Sequence, residues 1–311
     1  MMFIDMASSM GPRLLQIIKF LWIILIFVTA TYYFSQHKQV ILSSITLITL
    51  DKVLYSFFFL LLTKYSICLM IQQSLLKNQA KLSFSEVFRV YNQTQIVKYL
   101  PGAIWHFVGR VFLYKRKMLS NLQIRNAMIA ENIWLVLGSF FVFFIVYLFD
   151  LQFLHKSVDN FLTSTFPWFI STYVYTFAGG ILLFFVIGFW GKAPRIKAIA
   201  KITIPTSKTV LYLILMHTSL ATSLFWIVLS ITNQVPFHSI LAVNAFATSI
   251  GYIAFFAPAG IGIKDGLLVI YLSLFMDQPT AFLVTASHRI IYILTDIILG
   301  IIANFKSKII T

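Results

Sequence analysis

Long apolar runs separated by short polar clusters recur along the whole chain, with the lengths of membrane spans. About 20 apolar residues are needed to cross a hydrocarbon core, and runs of that order occupy 14–35, 126–149, 166–190, 209–231, 239–257 and 281–305. The run at 40–73 is too long for one untilted span; it carries Asp51 and Lys52 a third of the way along and Lys64 near its far end. The run at 266–276 is too short, roughly 16 Å at 1.5 Å per residue, and reads as a half-span. Between 74 and 117 the pattern changes: Lys77, Lys81 and Arg89 alternate with Leu82, Phe84, Val87, Phe88 and Val90, which predicts an amphipathic interfacial helix. Ser83, three residues before Glu86, marks a helix start. The pattern predicts an all-α polytopic membrane bundle of about eight helices, a single transmembrane domain over 1–311, with two broken or re-entrant elements.

The breaks hold the candidate chemistry. In 98–117, KYLPGAIWHFVGRVFLYKRK, Pro101 and Gly102 interrupt the backbone, Trp105 and His106 bring aromatic rings with polar tips, and Arg110 precedes the basic exit Lys115, Arg116 and Lys117. In 255–267, FAPAGIGIKDGLL, Pro258, Gly260, Gly262 and Gly266 are four breakers, with Lys264 and Asp265 inside. Irregular backbone at membrane depth is tolerated only where protein or a wet cavity surrounds it, and a broken segment in each half of a chain is a pointer to a binding site. The first break offers Lys98, His106 and Arg110, the second Lys264 and Asp265, and Arg289 on the last span adds a cation. Arginine forks, lysine point charges and the amides of helix starts together suit a phosphate. The same residues admit another reading: glycines for tight packing, and cations paired with Glu131, Asp265 and Asp296.

Composition narrows the class. Mean hydropathy is +0.89 and only 11% of residues are charged, which describes an integral membrane protein. The net charge of +15 would point to nucleic acid in a soluble chain. Here 18 of the 24 Lys and Arg residues lie in 1–19, 74–125, 191–208 and the C-terminus, whereas the alternate loops hold Lys38 and Lys156 alone. That asymmetry places both termini in the cytoplasm and assigns the surplus to topology and anionic lipid, with no nucleic acid partner. Cys68 is the only cysteine, so an internal disulfide is excluded and no cysteine-based metal site exists. No P-loop, GxSxG or HExxH pattern is present, and nine scattered acids make general acid–base chemistry hard to place. No catalytic residue, metal site or cofactor is assigned.

Four ionisable positions inside spans need an account. Asp51 reads as an interfacial pair with Lys52 or as a functional carboxylate. His217 reads as a hydrogen-bonded packing residue. Glu131, about one and a half turns into a span starting at 126, sits near the positive helix end and within reach of Arg110. Asp296 lies seven residues after Arg289 on the last helix.

At KYLPGAIWHFVGRVFLYKR the chain resembles the membrane domain of the lysylphosphatidylglycerol synthase family, also called flippase-like. Lys98–Gly102 with Trp105, Gly109 and Arg110, then Glu131, then Pro258, Gly260, Gly262, Asp265 and Gly266, and finally Arg289 with Tyr292 follow the family's order of motifs, over nearly the whole chain. Asp265 stands where glutamate is usual. The family's aminoacyl-transferase activity resides in a soluble C-terminal domain not present before Thr311, so the resemblance implies lipid handling without lysyl transfer. It implies a bacterial inner-membrane protein that binds, and translocates, an anionic phospholipid or a polyprenyl-linked glycolipid in envelope glycan assembly. Lys98, Trp105, His106, Arg110, Glu131, Lys264, Asp265 and Arg289 would form the substrate site. Envelope-biosynthesis enzymes and a second copy of the chain are the candidate protein partners. The alternatives are a membrane-embedded transferase on a lipid-linked sugar, with Glu131 or Asp265 as base, and a non-transporting scaffold of a synthase complex.

Overall fold

Residues 12–99, 105–149, 200–254 and 257–308 are described by the computed structural model, and among them all regular structure is helical. The span expected at 166–190, its flanking loops and the predicted breakers Pro101 and Gly102 lie outside the described residues.

Helix α1 (Pro12–Gln36) is followed after the single residue His37 by the short α2 (Lys38–Ile45), and then by α3 (Leu50–Lys77). The run expected to be one overlong span at 40–73 is therefore two helices, because the chain turns at 46–49 before Asp51 and Lys52. Those two side chains sit 3.8 Å apart in the first turn of α3, with Asp51 more than half exposed, as expected of an interfacial pair. At its other end α3 runs to Lys77, four residues past the predicted boundary. Gln79 then adopts a left-handed φ of 60°, and the Ala80 amide returns 2.9 Å to the Leu75 carbonyl. That turn satisfies the last carbonyls of the helix.

The segment expected to be one amphipathic helix from 74 is shorter. Helix α4 (Phe84–Gln95) opens with the capping box read from the sequence: Ser83 Oγ accepts from the Glu86 amide, and the Glu86 carboxylate accepts from the Ser83 amide. Lys117, 2.9 Å from Glu86, and the Ser83 amide hold the carboxyl below its ordinary range. A 3-10 turn (Ile96–Tyr99) follows, and α5 (Trp105–Arg116) comes after it. Because Lys117 at the end of α5 reaches Glu86 at the start of α4, the α4–α5 hairpin leaves and returns to one end of the bundle.

Helix α6 (Asn121–Phe149) begins five residues before the predicted start. Ser120 and Gln123 cap it reciprocally, so the helix begins in the polar residues ahead of the apolar run. Helix α7 (Ser207–Val228) is capped by Thr206. It runs antiparallel to α3, and the two share hydroxyl rungs at Ser56–Ser223, 3.0 Å, and Thr63–Ser219, 2.9 Å. Helix α8 (Phe237–Ile253) ends at the second break, a 3-10 turn (Pro258–Gly260), and α9 (Ile263–Leu272) packs back along α8. Ala259, Gly260 and Gly262 all have positive φ. Those left-handed residues, with a proline that has no amide to donate, end one helix and re-aim the next. Ten residues make α9 about 15 Å long, too short to cross a hydrocarbon core. Helix α10 (Gln278–Lys308) begins three residues earlier than predicted, since Asp277 caps it through the Thr280 amide at 2.9 Å.

Among the described residues five helices, α1, α3, α6, α7 and α10, are long and apolar enough to cross a membrane; α8 is shorter. With the mean hydropathy of the chain this is the architecture of an integral membrane protein. Two apolar cores share α3. One packs Ile71, Val87, Tyr91, Tyr114, Ile124 and Trp134; the other packs Leu60, Leu224, Ile227, Ile240, Leu272 and Val284. The basic segments meet at one end: Lys77 bonds the Ile204 carbonyl, Gln123 bonds the Gln79 carbonyl at 2.8 Å, and Lys117 pairs with Glu86. The other end gathers Ser44 with Thr280 at 3.1 Å, and Phe225 with Phe237.

Candidate functional site

The two 3-10 turns, 160 residues apart in sequence, pack against each other. The α4–α5 hairpin brings the first from the basic end, and the α8–α9 hairpin brings the second from the opposite end. Close approach is made possible by glycine. A Cβ on Gly300 of α10 would lie 2.5 Å from Ile96 Cδ1, and one on Gly260 would lie 3.1 Å from Gly251 Cα. Trp22 on α1 adds a bond from Nε1 to the Ile261 carbonyl at 3.0 Å, which ties the second tip to the first helix.

Helix α10 connects both tips. Arg289, Tyr292 and Asp296, at spacings of three and four, line one of its faces. Asp296 holds the first tip: Lys98 Nζ lies 2.7 Å from Oδ2, and the Tyr99 hydroxyl donates to the same oxygen at 2.6 Å. Lys98 also donates to Gln95 Oε1 at 3.1 Å. From α3, Lys64 Nζ lies 2.7 Å from Asp296 Oδ1, an ion pair whose alignment falls short of a hydrogen bond. Both ammonium groups lie against the ring of Tyr292, 3.7 Å for Lys64 and 4.9 Å for Lys98, an arrangement worth about 0.5–2 kcal/mol per contact. Lys64 and Asp296 have no solvent exposure, and two cations share one carboxylate there.

Arg289 holds the second tip. Its Nη2 donates to the Ala259 carbonyl at 2.9 Å, while Nη1 stands 3.7 Å from Asp265, beyond hydrogen-bonding distance. Asp265 is used instead by the backbone, accepting from the Gly262 amide at 3.1 Å. Lys264, in the first turn of α9, is half-buried, its stem packed at Gly251. It makes no hydrogen bond or ion pair among the described residues. It is within electrostatic reach of Lys64, Arg289, Asp265 and Tyr292.

Arg110 and Glu131 are brought together as a pair of their own. Both guanidinium Nη atoms grip the two carboxylate oxygens, Nη2 at 2.6 Å, and Nη2 also reaches the Tyr114 hydroxyl at 3.2 Å. Tyr91 and Tyr114 flank the guanidinium. A bidentate pair with each side chain under 5% exposed pins α5 to α6. The expectation that the helix terminus stabilises Glu131 does not hold. With α6 starting at Asn121 the carboxylate lies about three turns inside, where the dipole has faded, and Arg110 supplies the charge. Trp105 is half exposed at the start of α5, and His106 lies ring against ring with Phe107 at 3.9 Å. His217 is bonded to Ser139 at 3.2 Å in the core, the packing role expected.

Of the sequence-predicted residues, Lys98, Lys264, Asp265 and Arg289 thus converge on the junction with Pro258, Gly260 and Gly262, while Arg110 and Glu131 form a separate pair. Lys64, Tyr99 and Gln95 were not predicted there. A signal for Lys64 exists, a lone charge inside a 28-residue apolar helix, since such charges face protein or a wet interior. Compared with protein-family models and with curated proteins, the chain matches none.

Proposed function

We propose that this membrane protein binds the anionic head group of a lipid, a phospholipid or a polyprenyl-linked glycolipid, where the two hairpin tips meet, and carries it between leaflets. The observation that carries the reading is the convergence of two backbone breaks from opposite ends of the bundle onto cations of three elements: Lys98, Lys264 and Arg289. Hairpins that enter a bilayer from opposite faces leave a polar junction near its middle. There a head group finds charge and backbone donors without crossing hydrocarbon. The basic end would face the cytoplasm of an inner membrane, with both termini on that side, and would recruit anionic lipid to the leaflet. The resemblance to the lysylphosphatidylglycerol synthase membrane domain supports the same reading. The transferase alternative is weakened by geometry: both oxygens of Glu131 are held by Arg110, and Asp265 is engaged by the Gly262 amide.

The test is reconstitution into liposomes with fluorescent phosphatidylglycerol, following dithionite-accessible signal. Wild type accelerates exchange between leaflets, and Lys264→Ala with Arg289→Ala abolishes it. Unchanged exchange in the double variant overturns the site. No exchange by wild type, with an envelope-biosynthesis enzyme stably co-purifying, favours the scaffold.

A further inference from the structure

We infer that the head group taken at this junction bears two negative charges, as the phosphomonoester or diphosphate terminus of a lipid does, in preference to the single charge of a phosphodiester. The inference rests on the reading that an anionic lipid head group binds there, and concerns which one.

Formal charge carries it. Lys64, Lys98, Lys264 and Arg289 surround the two tips, and Asp265 and Asp296 are the carboxylates among them. Four cations against two acids leave a surplus of two positive charges among the described residues. Arg110 and Glu131 cancel within their own pair and do not alter it. The charges sense one another: Lys264 is within electrostatic reach of Lys64 and Arg289, and Lys98 of Lys64. Surplus charge held away from water is costly unless an opposite charge joins it. A monoanion leaves half of the surplus, whereas a dianion removes it.

The surplus lies where a ligand can reach. Lys64 and Asp296 form a closed floor with no exposure, while Arg289 and Asp265 keep 16% and 22% of their side-chain surface and Lys264 is half-buried. Donors at this rim are still open. Lys264 has no partner among the described residues, and Arg289 Nε is buried without an acceptor. Phosphate oxygens of a doubly charged group can meet the point charge of Lys264 and the fork of Arg289 together.

The experiment uses the full chain in phosphatidylcholine nanodiscs at pH 7. The probes are dioleoyl phosphatidic acid, farnesyl diphosphate, dioleoyl phosphatidylglycerol and inorganic pyrophosphate. A phosphomonoester carries about −1.5 to −2 at this pH. We expect phosphatidic acid or farnesyl diphosphate to bind about tenfold more tightly than phosphatidylglycerol. Lys264→Gln should bring that ratio close to one, and Lys264→Arg should keep it, which separates lost charge from a lost fold. Equal affinities for singly and doubly charged lipids overturn the inference while the lipid reading stands, as does a preference that survives Lys264→Gln. Inorganic pyrophosphate binding as tightly as farnesyl diphosphate overturns it in favour of a free anion. No binding of any anionic lipid above the phosphatidylcholine background sinks both readings.

Discussion

Asp296 is the side chain on which most of the buried electrostatics depends. Two ammonium groups and a phenol converge on its carboxylate, and Lys64 has no other route to neutrality or to water. Removing one partner of a buried ion pair leaves the other uncompensated and costs about 3–5 kcal/mol. Asp296→Asn is therefore expected to destabilise the protein by about that amount, measured by denaturant unfolding in detergent. Asp296→Asn combined with Lys64→Met should recover a substantial part of the loss, because the stranded charge goes with its partner. A double variant no more stable than the single one would show that Lys64 does not depend on Asp296. Residue identity hinted at this arrangement only in part. An acid and a lysine inside apolar runs announce that each needs company, but 232 positions separate them and nothing in the sequence names the partner.

Glycines decide the helix packing at the second break, and they do so unequally. At Gly262, φ is 85° and an added Cβ would fall 2.4 Å from Ile26 Cδ1, so both conformation and space oppose a side chain. At Gly266, one turn later, φ is helical and nothing lies within 4 Å of the added atom. Gly262→Ala is expected to cost about 1–3 kcal/mol through backbone strain. Gly266→Ala should be neutral or stabilising by up to about 1 kcal/mol, since alanine is the better helix former. Thermal unfolding of the two variants side by side checks this; equal effects would mean that the left-handed turn is not what shapes the tip. The sequence marked both glycines as breakers without ranking them, because spacing does not reveal φ or the approach of α1. Helix starts were legible where side chains cap locally, as at Ser83 with Glu86. They are misplaced at Asn121 and Gln278, where Ser120 and Asp277 cap helices that start several residues before the apolar runs do.

At the scale of the whole molecule, the two ends of the bundle differ in chemistry. Lys77, Lys117, Arg125 and Lys208 belong to the segments gathered at one end, whereas Thr280, Ser44 and Phe237 mark the other. On the function proposed above, the positive-inside rule would put the first end in the cytoplasm. Cys68 is fully buried, which gives a low labelling background for an accessibility experiment. Met118→Cys, at a residue 92% exposed beside the basic exit of α5, should react with a membrane-impermeant maleimide only from the cytoplasmic side. Gln234→Cys, between α7 and α8, should react only from the opposite side. Labelling of both from one side would overturn the proposed orientation and, with it, the proposed entry of the two hairpins from opposite faces.

Apolar run length determined, without any coordinates, that this is a helical membrane protein, and the placement of lysine and arginine that its basic residues gather in alternate loops. These properties belong to the chain locally, since a span needs a certain length and a loop a certain charge. Tertiary structure alone decided that the two 3-10 turns meet, that α10 ties both through Arg289 and Asp296, and that Arg110 and Glu131 neutralise each other. Ion pairing in a low-dielectric interior is short-ranged and indifferent to sequence separation, so its partners are chosen by the packing of helices.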